Sequence, residues 1–183
     1  AKPDQIKAAA AKAGLKTIDT GIAHGTVTVI IDHEPFEVTT YRADGVYSDG
    51  RHPDSIEFLD RIDGDLARRD FTINAMAYNP ARGLVDHFGG QADLQAGILR
   101  AVGDPRERFT EDALRIVRGL RFAAQLGFTI EPETSDAMHE LRGLLDDIAV
   151  ERIWIEFAGL LCGQYAVPVL REYHDIVFTI IPE

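Results

Sequence analysis

The chain has 183 residues, 45% of them apolar, and a formal net charge of −11. That apolar share suits a globular protein and excludes a disordered chain, and no apolar run approaches the ~20 residues that span a bilayer. The acidic balance argues against a broad nucleic-acid-binding surface, yet ten of the fifteen arginines fall between Arg61 and Arg121, which points to a local anion site such as a triphosphate.

The start, Ala1-Lys2-Pro3-Asp4, has neither a Met nor the pattern of a signal peptide, so the chain reads as a fragment or a processed product. Residues 3–13 predict a helix, with proline early, Asp4 in the first turn and a run of alanines. Residues 26–31 and 36–41 read as a hairpin around the turn Asp32-His33-Glu34-Pro35. Period two places Glu37, Thr39 and Tyr41 on one face of the second strand and Phe36, Val38 and Thr40 on the other. Residues 42–53 are polar and glycine-rich and predict a mobile surface loop. Residues 55–68 predict a helix, or two short ones broken near Gly64, and residues 72–78 are apolar with no decisive period. Residues 83–86 suit a short strand, and Gly89-Gly90 a turn or hinge.

The pattern changes near Asp104-Pro105, where a domain boundary is expected. Helices are predicted over 107–126, 132–145, 149–162 and 167–173, with an extended Phe128-Thr129-Ile130 between the first two. Residues 176–181 read as a short core segment or a helix end. The fold class is therefore α+β, with a mixed part at 1–104 and an all-helical part at 105–183. The lone Cys162 cannot form an internal disulfide and is expected to be a buried spectator. A reducing, cytoplasmic setting is the default.

Three features can carry chemistry. In Arg68-Arg69-Asp70-Phe71-Thr72-Ile73-Asn74, guanidinium forks suited to phosphate stand beside an amide able to bond a sugar hydroxyl; on chemistry alone a plain surface ion pair is the better reading. In the segment from Glu111 to Arg121, the residues Asp112, Arg115, Arg118 and Arg121 recur every three positions. Each step drifts back by about 60°, so a continuous helix would gather Asp112, Arg115 and Arg118 on a face about 120° wide. Such a carboxylate and guanidinium can match a nucleobase edge, or can simply form an exposed ion ladder. Glu37, third, is a strand carboxylate that could support a metal site but not build one alone. The six histidines show no metal-ligand spacing, and no nucleophile elbow, P-loop or dinucleotide fingerprint occurs.

The order and wording of these segments carry more than each does alone. His24-Gly25-Thr26-Val27, Phe36-Glu37-Val38-Thr39-Thr40-Tyr41-Arg42, the Arg68–Met76 stretch, Asp86-His87-Phe88-Gly89-Gly90-Gln91-Ala92-Asp93-Leu94, Glu111-Asp112-Ala113-Leu114-Arg115 and Glu151-Arg152-Ile153 closely resemble class II CCA-adding tRNA nucleotidyltransferases and bacterial poly(A) polymerases. The resemblance implies a polymerase-β-like nucleotidyltransferase head, with its small sheet truncated, followed by a helical neck. It implies CTP, ATP and a tRNA 3′ end as partners, no membrane, and Mg2+ in the intact enzyme. By the same resemblance Arg69 contacts the incoming nucleotide with Asp70 and Asn74 near its ribose. Asp112 and Arg115 read the base, and Arg118 and Arg121 contact the nucleotide. Glu37 supports the metal-binding pair, Asp86–Asp93 is a hinge segment, residues 42–51 form a flexible loop, and Glu151 and Arg152 are structural. The family's metal-binding Asp-x-Asp pair is expected upstream of Ala1, leaving no principal metal ligand in the chain and an inactive polypeptide as given. The leading reading is template-independent addition of CMP and AMP to the tRNA 3′ end; the alternatives are a bacterial poly(A) polymerase using ATP only and a non-catalytic nucleotide- or RNA-binding module. Arg115→Ala is expected to weaken nucleotide discrimination more than folding.

Overall fold

Ile6 and Ala10 lie four residues apart on α1 (Pro3–Lys12), and this spacing puts both on the helix face that packs against Val27 and Val29. The computed structural model describes residues 1–22, 25–45 and 56–181. These fall into two compact units that divide between Asp65 and Leu66.

In the first unit, β1 (Lys16–Gly21), β2 (Thr26–Ile31) and β3 (Glu34–Thr39) form an antiparallel sheet in the order β1-β2-β3. The β2–β3 hairpin turns on Asp32 and His33 alone, both with positive φ. Such a pair matches the twist of the flanking strands, so β3 begins at Glu34, earlier than the four-residue turn expected. Every residue of β3 is exposed, Glu37 included, and its period-two alternation therefore separates no buried face. β1 escapes the sequence pattern because Ile18 is its only large apolar residue and is itself exposed; pairing with β2 defines it. β4 (Arg42–Asp44) pairs with β5 (Ile56–Phe58), so the predicted helix over 55–68 is corrected to a strand followed by α2 (Ile62–Ala67). Cross-strand pairing wins over local helical preference there. Most of the loop expected at 42–53, together with His24 and His52, lies outside the described residues.

In the second unit the end of α2 leads to Phe71, fully buried, then a 3₁₀ turn at Thr72–Asn74 and a hairpin of β6 (Met76–Asn79) and β7 (Gly83–Asp86). Gly89 and Gly90 lead into a further helix, α3 (Gly90–Ala96), capped by the Asp86 carboxylate, which accepts the Gly90 and Gln91 N–H groups at 2.9 Å each. β8 (Ile98–Leu99) runs parallel to β9 (Thr129–Ile130).

The predicted helix over 107–126 is two helices. α4 (Pro105–Glu111) starts at the Asp104 cap, and α5 (Leu114–Leu126) ends at Gly127 with φ +70, a left-handed cap that suits glycine. Between them Asp112 is extended, and its carboxylate accepts the Leu114 N–H at 3.2 Å. A short polar side chain that bonds the local backbone in this way breaks one helix and starts the next. α6 (Pro132–Leu141) follows the Glu131 cap and passes into a 3₁₀ segment, Arg142–Asp147. Then come α7 (Val150–Leu161), α8 (Ala166–Glu172) and α9 (His174–Ile180).

α5 is the central helix. Ile116, Val117, Leu120, Ala123 and Ala124 are buried along one face, and α4, α7 and α8 pack around it. Phe71, Leu99 and Ala101 are buried in the same cluster, so residues 66–104 share a core with the helices that follow Pro105. α7 is apolar almost all round: Ile153, Phe157 and Leu160 are buried, whereas Val150, Trp154 and Ile155 are exposed. The α+β class holds. Cys162 is corrected from buried to exposed, because it stands at the C-terminal cap of α7, past the buried stripe.

Candidate functional site

A cleft of about 250 Å³ in the second unit is lined by Arg68, Arg69, Asp70, Asp112, Leu114, Arg115, Arg118 and Arg152. Five of these eight residues are arginines. Their sequence positions span more than eighty residues, and three structural devices gather them. The turn after α2 presents Arg68, Arg69 and Asp70. The break between α4 and α5 presents Asp112. The first two turns of α5 present Arg115 and Arg118, and Arg152 comes from the start of α7.

Asp70 organises one wall. It is 9% exposed; its Oδ1 accepts the Phe71 N–H at 2.8 Å and the Asn74 amide at 3.2 Å. Its Oδ2 accepts Arg118 through Nε at 3.0 Å and Nη2 at 2.8 Å. This fork-on-carboxylate geometry is a strong charge-assisted pair. Burial opposes the Arg118 charge, but Asp70 and then Glu156 outweigh it, and the pKa of Arg118 lies above its ordinary value.

The opposite wall differs from the expected i,i+3 pair. With the helix broken at Asp112, Arg115 pairs instead with Glu111 at 2.8 Å. It also donates to the carbonyl oxygens of Arg108 and Arg68, each at 3.1 Å. Asp112 pairs with Arg152 at 3.0 Å. A carboxylate offers about four acceptor positions, so Asp112, holding Leu114 N–H and Arg152, keeps acceptor capacity toward the cleft.

Two predicted residues stand beside the cleft and do not line it. Asn74 is exposed and reaches Asp70. Arg121 donates to Glu156 at 2.5 Å and to Gln125 at 2.9 Å, with its guanidinium 4.2 Å from the Phe122 ring centre. Glu37 belongs to the first unit, on β3 opposite Thr28. Arg152, read as structural from the sequence, lines the cleft. Glu156 lies outside the motifs that the sequence presents. Its signal was a carboxylate at a core position of α7, in register with Ile153, Phe157 and Leu160.

Among the described residues, no three His, Cys, Asp or Glu side chains converge as a cation cage, and no helix is long and apolar enough to cross a membrane. What the cleft can do chemically is bind an anion through guanidinium forks and present acceptors beside them.

Comparison with known proteins supplies the relatives. The family described as "Poly A polymerase head domain" matches residues 1–100, and that described as "Probable RNA and SrmB- binding site of polymerase A" matches residues 127–176. A CCA-adding enzyme of Pediococcus pentosaceus is 53% identical over 149 residues, covering 81% of this chain and 38% of that protein. One of Ligilactobacillus salivarius is 45% identical over 175 residues, covering 96% of this chain and 42% of that protein. Among solved structures, the Bacillus stearothermophilus CCA-adding enzyme in complex with CTP superposes with a TM-score of 0.78 at 41% identity, over 86% of this chain and 38% of that one. A tRNA nucleotidyltransferase complexed with a primer tRNA and an incoming ATP analogue superposes with a TM-score of 0.74 at 29% identity, over 98% of this chain and 51% of that one. The chain thus spans about two fifths of the length of the curated relatives.

Proposed function

The chain belongs to the family of the poly(A) polymerase head domain, and from that membership we propose that it is part of a tRNA nucleotidyltransferase that adds CMP and AMP to the tRNA 3′ end from CTP and ATP, with no nucleic-acid template. The observation that carries the proposal is the arginine-rich cleft, whose lining includes Arg69, Asp70, Asp112, Arg115 and Arg118. The head is assigned to residues 1–104 and the neck to 105–183.

In this reading Arg69 and Arg118 bind the triphosphate, where planar forks match phosphate oxygens. Asp70 and Asn74 face the ribose. Asp112 accepts from the base and Arg115 donates to it, so that protein stands in for a template strand. Arg121 acts from behind the cleft wall. Among the described residues, no cluster of carboxylates or histidines forms a complete metal centre. Mg2+ is proposed for the whole enzyme, with Glu37 as a supporting carboxylate, and the setting is cytoplasmic.

The test is isothermal titration of this polypeptide with CTP, ATP, GTP and UTP, beside incorporation of labelled CTP and ATP by the full-length enzyme onto a tRNA lacking its terminal nucleotides. Binding of CTP and ATP but not GTP or UTP, with both incorporated, supports the reading. Use of ATP alone would make the enzyme a poly(A) polymerase. Binding without incorporation would favour a non-catalytic module, and indifference to all four nucleotides would sink the assignment.

A further inference from the structure

Glu156 is a buried carboxylate at a core position of an otherwise apolar helix face, only 8% exposed. Burying a carboxylate is costly, and an apolar side chain of similar volume usually serves stability as well or better. Yet its Oε1 accepts Arg118 Nη1 at 3.3 Å and its Oε2 accepts Arg121 Nε at 2.5 Å. We propose that Glu156 is a positioning residue for nucleoside triphosphate recognition, fixing Arg118 within the cleft and holding Arg121 out of it; this rests on the nucleotide reading above.

Arg118 is held along two edges of its guanidinium: Nε and Nη2 by Asp70, and Nη1 by Glu156. A guanidinium held by one carboxylate can pivot about that pair, whereas one held by two has a fixed plane. Its remaining N–H groups then keep one direction, which lowers the ordering cost of binding a planar or bidentate anion. Arg121 lies one helical turn further along α5, close enough that both cations would be drawn to the same polyanion. Glu156 gives it another partner. Gln125 and the Phe122 ring complete its seat. Gly159 leaves room for this seat: a Cβ there would lie 2.6 Å from Arg121 Cδ, and the arginine would have to shift. One carboxylate thus divides two like charges between a ligand-facing task and a packing task.

The test uses Glu156→Gln and Glu156→Met in this polypeptide, with CTP and ATP titrations, thermal melts and Arg Nε–Hε NMR signals. Glu156→Gln is expected to raise the dissociation constants for CTP and ATP about tenfold and to shift or broaden the Arg118 and Arg121 signals. Glu156→Met is expected to keep or raise the melting temperature while still weakening binding. That split separates positioning from a purely structural role, in which melting and binding would fall together. Unchanged affinity in a folded variant overturns the proposal. Absence of CTP and ATP binding by the unsubstituted chain overturns the nucleotide reading itself, and this proposal with it.

Discussion

Arg115 combines burial with three hydrogen-bonded partners, two of them backbone carbonyl oxygens, Arg68 O and Arg108 O. It is only 9% exposed. Removing its side chain would take one cation from Glu111 and one donor from each of two carbonyls, of which Arg108 O keeps only the long 3.5 Å bond from the Asp112 N–H among the described residues, so the folding cost is larger than the sequence suggests. We expect Arg115→Ala to destabilise the protein by about 2–4 kcal/mol, the range for breaking a largely buried charged cluster, read as a lower urea midpoint with an unchanged slope. A loss under about 0.5 kcal/mol, ordinary for an exposed pair, would mean that Arg115 is free to serve the cleft alone. The residue types of the site were legible: Arg69, Asp70, Asp112, Arg115 and Arg118 all line the cleft. Their partners were not. The expected Asp112–Arg115 pair gives way to Arg115–Glu111 and Asp112–Arg152, because a three-residue spacing predicts a shared face only if the helix is continuous.

At the scale of elements, caps decide more than propensity. Asp104 and Glu131 start α4 and α6 where the sequence places Pro105 and Pro132, the signature of a helix start. α3 is less obvious, since its cap, Asp86, stands four residues before Gly90 on the preceding strand. The Asp86 pKa lies below the usual carboxylate range: the Gln91 N–H favours the ionised form most, burial opposes it, and the Gly90 N–H adds to the lowering. A carboxylate whose folded pKa is depressed stabilises the fold fully above its unfolded value near 3.9, and that contribution fades as pH falls through the lowered folded value. Asp86→Ala should therefore cost about 1 kcal/mol at pH 7. The difference from the unsubstituted chain should close as the pH of urea titrations is taken down toward 2. A gap independent of pH would exclude the ionised cap as its source. The loss of the continuous 107–126 helix belongs to the same scale. Asp112 carries the start signal of a second helix, but it lies inside an unbroken apolar period that runs on to Leu126.

At the scale of the whole molecule, the apolar core is unevenly shared. The large buried cluster, from Phe71 through Ile116 and Leu120 to Ile176, lies entirely in residues 66–181. Among the described residues, the buried apolar cluster of the first unit is Ile6, Ala10, Val27 and Val29, with Leu15 partly buried against it. A small core of that size does not offset chain entropy. A polypeptide of residues 66–183 is expected to melt cooperatively on its own, and one of residues 1–65 to show no cooperative transition, both followed by circular dichroism. Cooperative melting of the shorter piece, or none in the longer, would overturn this division. It is a division of packing that crosses the proposed head, whose Leu99 and Ala101 are fully or almost fully buried in the helical core. A boundary drawn where strand pattern turns to helix pattern records local period, and contacts across it are invisible to that period.

The sequence by itself determined the family, the α+β class, most helices and most of the charged residues that line the cleft. These depend on residue type, order and local spacing, all of which the chain carries in one dimension. Only the tertiary structure decided that α5 starts anew at Leu114, that Arg115 is bound by backbone carbonyls 7 and 47 residues away, and that Glu156 joins Arg118 to Arg121. Those are distances between residues far apart in the chain. A buried carboxylate in an apolar helix shows in sequence that it needs cations, but only packing shows which ones it holds.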